Sequence, residues 1–269
     1  MKLLTIIGGG NMGEAILAGL LRSGQWKPHQ ITVCDVRPEQ RAFLKKRYRV
    51  GIASENSLAI RKASIILLAV KPQQMKALLQ ELKPFVTRKQ LVLSIAAGIS
   101  TQTIESLLID GIPVVRIMPN TPALVSAGAA AISKGRVAKA IHERIALSIF
   151  STIGIAVPVS ENQMDAVTAI SGSGPAYVFY LAEAMNQAAL DLGLSPKIAD
   201  VLVRQTIQGS GLLLLKSKES AIVLRQRVTS PGGTTEAAIR TLEETQVSRH
   251  FIQAIGRARE RSKELSIMQ

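Results

Sequence analysis

Thr5-Ile6-Ile7-Gly8-Gly9-Gly10-Asn11-Met12-Gly13-Glu14-Ala15-Ile16 decides how the rest of the chain is read. Lys2 to Ile7 is a short apolar run that reads as a buried strand. Met12 to Arg22 repeats its apolar positions at helical spacing, with Gly24 as the stop. Between them Gly8 to Gly13 satisfies G-x-G-x-x-G, the turn of a dinucleotide-binding βαβ unit. Gly8 allows the tight turn, Gly10 removes the Cβ that would block a pyrophosphate, and Gly13 lets the helix pack on the strand. The helix start then offers unmet N–H groups to the phosphates. Alone the string is weak, and a glycine-rich turn without a ligand is the alternative. Its position, after a strand and before a helix, gives it meaning.

Working outward, strands and helices alternate. Ile31 to Asp35 reads as a second strand, followed by the basic helix Pro38 to Tyr48. Ser64 to Val70 is an uninterrupted apolar run of the kind found at the centre of a parallel sheet. Pro72 suits the first position of a helix running to Leu82. Leu91 to Ala96 and Pro113 to Met118 supply strands, with Thr101 to Leu108 helical between them. Gly128 to Ile132, a helix from Arg136 to Ser151 and Ile155 to Val159 complete the pattern. Such alternation implies right-handed βαβ crossovers and an open, doubly wound sheet. After Val159 the runs are helical only, as far as Leu265, so the expected division is a dinucleotide-binding domain over 1–159 and an all-helical domain over 160–269. Many Ala, Gly and Ser residues in the helical part suggest close helix packing, including between subunits.

The chain has 269 residues, 47% of them hydrophobic and 19% charged, enough for a core in roughly two domains of about 150 residues. That composition excludes intrinsic disorder. Aromatics are only 3%, so the core must be built from Ala, Ile, Leu and Val. No apolar run reaches the 18 or so residues that span a bilayer. The N-terminus lacks the apolar core and cleavage site of a signal peptide. One cysteine, Cys34, excludes an intramolecular disulfide framework, and the expected location is cytoplasmic. A net charge of +14 raises the question of nucleic acid, but the 33 basic residues are scattered and not interleaved with aromatics. No nucleic-acid or membrane partner is expected; the positive field suits an anionic cofactor and substrate.

Two residues give opposed signals on the cofactor. Asp35, closing the second strand, is placed to accept hydrogen bonds from an adenosine ribose, which favours NAD; a solvated turn residue is the alternative. Arg37, two positions on, could grip a 2′-phosphate instead. Ala69-Val70-Lys71-Pro72 sets a cation past the end of the third strand, where open α/β sheets bind ligands. Ser94-Ile95-Ala96-Ala97-Gly98 leaves room for a ring.

Three further strings are more specific: Arg116-Ile117-Met118-Pro119-Asn120-Thr121-Pro122, Ser171-Gly172-Ser173-Gly174-Pro175-Ala176-Tyr177, and Thr229-Ser230-Pro231-Gly232-Gly233-Thr234-Thr235. Together with the turn at Gly8 and the Ala69 to Pro72 loop, they closely resemble pyrroline-5-carboxylate reductases, in order from Thr5 to Leu265. The resemblance implies hydride transfer from NAD(P)H to 1-pyrroline-5-carboxylate, giving L-proline in the last step of its synthesis. It implies a Rossmann domain followed by an all-α domain, and a homodimer that assembles to a decamer. By motif, the cofactor would meet Gly8, Gly10, Asn11, Met12, Gly13, Asn56, Ala69, Val70, Lys71, Pro72, Ala96 and Ala97, with Asp35 and Arg37 beside the ribose. Substrate would meet Glu161, Ser230, Gly233, Thr234 and Thr235, whose hydroxyl would bond the ring nitrogen and serve catalysis. Many members of the family carry a hydroxyl residue near position 35. Asp35 therefore puts the usual NADPH preference in question and keeps NAD(H) possible beside NADP(H). Arg227 lies just before the substrate loop, and the resemblance assigns it no role.

The substrate loop also reads directly. Its two glycines would expose N–H groups to a carboxylate, and the helix starting near Thr235 would point its positive end at the anion. Thr235 is itself a candidate N-cap. His29, His142 and His250 lie outside every motif, and no cluster has metal-ligand spacing, so no metal is expected. With no group that titrates near neutrality in the loop, catalysis would rest on positioning, worth about 7 to 11 kcal/mol in favourable cases. The proton on nitrogen would come from solvent or with the iminium form of the substrate. A β-hydroxyacid dehydrogenase would need a lysine general acid early in the helical part, and none lies between Lys139 and Lys197.

Overall fold

The computed structural model describes residues 2 to 267. Strands β1 (Leu4–Ile7), β2 (Ile31–Cys34), β3 (Gly51–Ala53), β4 (Ile65–Leu68), β5 (Leu91–Ser94), β6 (Val114–Met118), β7 (Gly128–Lys134) and β8 (Gly154–Pro158) form one sheet in the order 3-2-1-4-5-6-7-8. Helices α1 (Asn11–Arg22), α2 (Pro38–Tyr48), α3 (Asn56–Ile60), α4 (Pro72–Leu82), α5 (Thr101–Leu107) and α6 (Ala140–Phe150) make the connections. The apolar runs are explained by burial on both sheet faces. Ile65 and Leu67 of β4 join one core cluster with Leu4, Ile6 and Leu93, while Ile66 and Leu68 join the other with Ile7 and Val92. Each such side chain contributes about 1.5–3 kcal/mol. Only a continuous hydrophobic stretch can satisfy two cores at once.

The register positions the glycine turn. Ile7 pairs with Cys34 on one side and Leu68 on the other, so β1, β2 and β4 end level. Gly8, Asp35 and Ala69 therefore emerge side by side where the strand order reverses, the ligand position of open α/β sheets.

Two features depart from the sequence reading. The edge strand β3 and the helix α3 were not expected, because Gly51-Ile52-Ala53 is too short to show a period. β7 runs antiparallel to β6, not through a parallel crossover. Only a 3-10 turn, Thr121–Val125, joins them, and a parallel return needs a dozen or more residues.

Beyond the sheet come α7 (Met164–Val167), a π-helical turn (Thr168–Gly172), α8 (Gly174–Asp191), α9 (Pro196–Lys216), α10 (Ala221–Arg227), α11 (Thr234–Glu244) and α12 (Val247–Ile267). The chain forms two compact units. One holds residues up to Ser173 and those from Ala258 onward; the other is Gly174–Arg257. The expected boundary at 159 follows the last strand, which ends at Pro158, whereas the compact units divide after Ser173, past the π turn. In the second unit Tyr177 packs edge-on against Phe251, ring centroids 5.6 Å apart. Among the described residues its buried side chains are Ala199 and Val203, while Phe179, Leu181, Leu212, Leu213, Leu214 and Ile252 stand exposed. A monomer does not ordinarily leave so many large apolar groups in water, so this surface marks an interface. No helix of the described residues is long and apolar enough to cross a membrane.

Candidate active site

Sterics explain the glycine turn. Gly8 has φ +103°, and a Cβ there would overlap the Ala69 carbonyl oxygen. A Cβ on Gly13 would overlap the Gly8 carbonyl oxygen, so α1 and β1 approach closely only through a glycine. At Gly10 the space is open, with nothing within 4 Å of where a Cβ would stand. Gly10 is extended and caps α1, so the N–H groups of the first helical turn have no helical acceptor. A groove of about 770 Å³ lies over this turn, lined by Gly8, Gly10, Asp35, Arg37, Asn56, Ala69, Val70 and Lys71. Asn11, Met12 and Gly13 form the first turn of α1, and Pro72 opens α4 at the groove's edge. Ala96 and Ala97 follow β5 and do not line the groove.

Asp35 and Arg37 engage each other. Asp35 is 8% exposed; its Oδ2 accepts from Gly9 N at 2.9 Å and its Oδ1 from Arg37 N at 2.9 Å. The Arg37 guanidinium closes a fork on the same carboxylate through Nε at 3.0 Å and Nη2 at 3.1 Å. Burial pushes the Asp35 carboxyl upward, but the Arg37 side chain and the N–H groups of Arg37 and Gly9 outweigh it and hold it below the ordinary value. The carboxylate is therefore ionised, saturated and part of the turn's scaffold. Arg37, half exposed, is the displaceable partner. Two braces were not visible in the sequence: Gln40 Nε2 donates to the Gly9 carbonyl at 2.6 Å and Arg41 Nη1 to the Asp35 carbonyl at 2.7 Å. Both lie on the basic helix α2, whose period carries no signal for either. Asn56 Nδ2 donates to Glu81 Oε2 at 3.2 Å across the groove wall. Burial, with Glu81 nearby, pushes the Cys34 thiol up to about 11, so it stays protonated.

In the second unit, two expectations for the substrate loop are corrected. The N-cap of α11 is Gly233, extended at φ −85° and ψ 170°, and Thr235 lies inside the first turn. A cap must leave the helical conformation while its carbonyl accepts the first helical bond, and the Gly233 carbonyl does so from Ala237 N at 3.2 Å. Nor do both glycines present free N–H groups. Gly232 N donates to Glu236 Oε2 at 2.8 Å, and Gly233 N donates to the Ser230 carbonyl at 3.0 Å. The groups left for an anion are the N–H donors of the first turn, from Thr234 on, with the Ser230 and Thr235 hydroxyls beside them. Among the described residues, the Thr235 hydroxyl has no hydrogen-bond partner. Arg227, ending α10, pairs with Glu219.

Glu161 opens a 3-10 turn after β8. Its Oε1 accepts from Arg116 Nη1 at 2.9 Å and from Thr101 N, the first residue of α5, at 3.2 Å. Arg116 is 3% exposed. The sequence reading placed Arg116 in a motif without giving it a task. The available signal was a lone charge inside the apolar strand Val114-Val115-Arg116-Ile117-Met118, which burial obliges to find a partner. Among the described residues no group of three or more His, Cys, Asp or Glu side chains could hold a metal.

The comparisons with known proteins agree with this layout. A family model described as pyrroline-5-carboxylate reductase dimerisation matches residues 161–265, and one described as NADP oxidoreductase, coenzyme F420-dependent, matches residues 3–98. The chain is 41% identical over 259 residues to a pyrroline-5-carboxylate reductase of Methanosarcina acetivorans, covering 96% of each chain. It resembles the solved structure of a pyrroline-5-carboxylate reductase from Coxiella burnetii at a TM-score of 0.93 and 40% identity, covering 98% of each. A Plasmodium falciparum pyrroline carboxylate reductase solved with NADP bound superposes at a TM-score of 0.87 and 30% identity, again over 98% of each. With this identity running the length of the chain, and the fold shared over 98% of it, this chain belongs to the pyrroline-5-carboxylate reductases.

Proposed function

We propose that the protein reduces 1-pyrroline-5-carboxylate to L-proline, the last step of proline biosynthesis, using NADP(H), with NAD(H) as an alternative donor. The observation that carries this reading is full-length identity of about two residues in five to reductases of that name. The residues present fit a dinucleotide: open space over Gly10, unmet N–H groups at the start of α1, and the displaceable Arg37 guanidinium beside Asp35. A bound reduced nicotinamide would supply the hydride.

The chain's own residues do the rest. Gly10, Asn11, Met12 and Gly13 would hold the pyrophosphate through main-chain N–H groups and the helix dipole. Asp35 fixes the turn, and Arg37 would leave it to meet a 2′-phosphate. Asn56 and the Ala69 to Pro72 segment would wall the groove, and Ala96 and Ala97 would flank the ring. Ser230, Gly233, Thr234 and Thr235 would receive the substrate carboxylate at the start of α11, with the Thr235 hydroxyl reaching the ring nitrogen. Glu161 is assigned a substrate contact by family resemblance. Positioning supplies most of the rate, and the proton on nitrogen arrives with the iminium form or from solvent.

The exposed apolar face of the helical unit, within the span of a dimerisation family, supports a homodimer, and the family resemblance supports further assembly to a decamer. A single buried, protonated cysteine suits a cytoplasmic setting. The reading is tested by incubating purified protein with pyrroline-5-carboxylate and NADPH or NADH. Proline formed one for one with dinucleotide oxidised supports it; oxidation without proline overturns it.

A further inference from the structure

The groove over the glycine turn is lined by two carboxylates, Asp35 and Glu81, and they differ in what they hold. Asp35 is saturated by the Arg37 fork and the N–H groups of Gly9 and Arg37. Glu81 pairs with no cation. Among the described residues its one hydrogen bond comes from Asn56 Nδ2 to Oε2, at 3.2 Å, and Oε1 accepts none. Gln74, Leu78 and Glu81 recur at the spacing of one helix face, so α4 turns that face to the groove. Glu81 stands in the last turn of α4, where the helix dipole favours a cation and disfavours a carboxylate. Helix stability therefore does not explain the charge.

The neighbours of Glu81 show which part of the groove it faces. Asn56 opens α3 after β3, and the Glu81 charge adds to the burial that pushes up the Cys34 thiol at the end of β2. Both neighbours lie on the β2–β3 side of the glycine turn, the side on which folds of this kind place the adenosine half of a dinucleotide. A phosphate beside Glu81 would be repelled, whereas Gly10, Arg37 and Lys71 attract one. The Glu81 end of the groove suits a neutral ring that carries a hydrogen-bond donor, and Val36, Ala77 and Leu78 supply apolar lining for such a ring.

We propose that Glu81 is a specificity-determining residue for the adenine of the cofactor: its carboxylate accepts the exocyclic amine of the base, and by accepting from Asn56 it fixes that amide beside the ring. A carboxylate can only accept, so the amide must turn Nδ2 toward Glu81 and Oδ1 away from it. Adenine carries an N–H donor at its sixth position, where a hypoxanthine base carries a carbonyl oxygen. An oxygen set against the carboxylate leaves two acceptors facing each other with no donor between them.

This inference rests on the functional reading above, which makes the groove a dinucleotide site, and a binding measurement separates the two. Purified protein is titrated by calorimetry, without pyrroline-5-carboxylate, with NADPH and with its hypoxanthine analogue, deamino-NADPH. The wild type should bind the analogue about 10- to 100-fold more weakly, the scale of one hydrogen bond to a charged group. Glu81→Gln should close most of that gap, because an amide can turn its NH2 group to the carbonyl oxygen. Glu81→Ala, which removes the acceptor altogether, should close it as well and carries the test if the glutamine variant fails to fold. A merely structural role for Glu81 would weaken both ligands together and leave their ratio unchanged. A wild type that does not bind NADPH overturns the functional reading and the inference with it. A wild type that binds NADPH and the analogue equally, or a gap that persists undiminished in the folded variants, overturns the inference alone.

Discussion

Gly10→Ala is the variant in which cofactor binding and folding should come apart. The new methyl group meets nothing within 4 Å, and the backbone there, φ −70° and ψ −175°, is open to alanine. Two small effects on stability oppose each other. Alanine restricts the unfolded chain, stabilising by about 0.4–1 kcal/mol, and it is a poorer N-cap than glycine, costing on the order of 0.5–1 kcal/mol. The melting temperature of the free protein should therefore stay within a few degrees of wild type. Binding should not survive so well. The methyl group projects into the space assigned to the pyrophosphate, and loss of one charge-assisted contact, about 1.5–3 kcal/mol, weakens Kd by about 10- to 100-fold. The assay is paired: thermal unfolding without ligand, and titration with NADPH by calorimetry. Gly13→Ala is the control, because its methyl group overlaps the Gly8 carbonyl and should destabilise by about 1–3 kcal/mol before any ligand is added. A Gly10→Ala protein that binds NADPH as wild type does would refute the assignment of the pyrophosphate to this turn.

Other outcomes follow from the same geometry. Arg37→Ala should lower affinity for NADPH and leave NADH nearly untouched, whereas Asp35→Ser should raise the NADPH:NADH preference while loosening the Gly9 turn; equal changes for both cofactors in the Arg37 variant would remove it from the 2′ position. Asp35 has a folded pKa below its ordinary value, so the stability it contributes is present above that ordinary value and is lost as the pH falls through the folded one. Acid unfolding of Asp35→Asn should accordingly be less steep than that of wild type. Thr235→Val should lower kcat/KM by about 10²-fold with intact folding, since the hydroxyl is not the helix cap; wild-type kinetics would clear it of any role with the ring nitrogen. Cys34, with its thiol pushed up to about 11, should resist alkylation at neutral pH in the folded enzyme and react readily in denaturant. Rapid labelling of the native protein would show that the strand end opens.

Features governed by local sterics were legible before the fold was seen. Gly8 and Gly13 are dictated by a turn and a close approach that recur wherever this motif occurs, and the run Ile65 to Leu68 reports burial on both faces by composition alone. Strand direction was less accessible. The reversal at β6 and β7 depends on a 3-10 turn of five residues, Thr121–Val125, with no glycine-asparagine signature of a hairpin. Side-chain competition was also hidden. Nothing in Ser230 to Thr235 announces that Glu236 captures the Gly232 N–H, or that Ser230 takes the Gly233 N–H. Asp35 and Arg37 looked like rival signals because a sequence gives proximity without geometry; in the fold they are one ion pair with one fixed and one movable member. Arg116 is a lone charge among Val, Ile and Met, and its partner lies 45 positions away across two further strands, beyond the reach of any local pattern.

The most direct measurement is the initial rate of reduced-nicotinamide oxidation by the intact protein on addition of 1-pyrroline-5-carboxylate, with proline quantified in the same reaction. Saturable oxidation with NADPH or NADH, matched mole for mole by proline and abolished when the cyclic imine is withheld, is the expected result. A folded, dinucleotide-binding protein that leaves the imine unreduced with either cofactor would contradict the account.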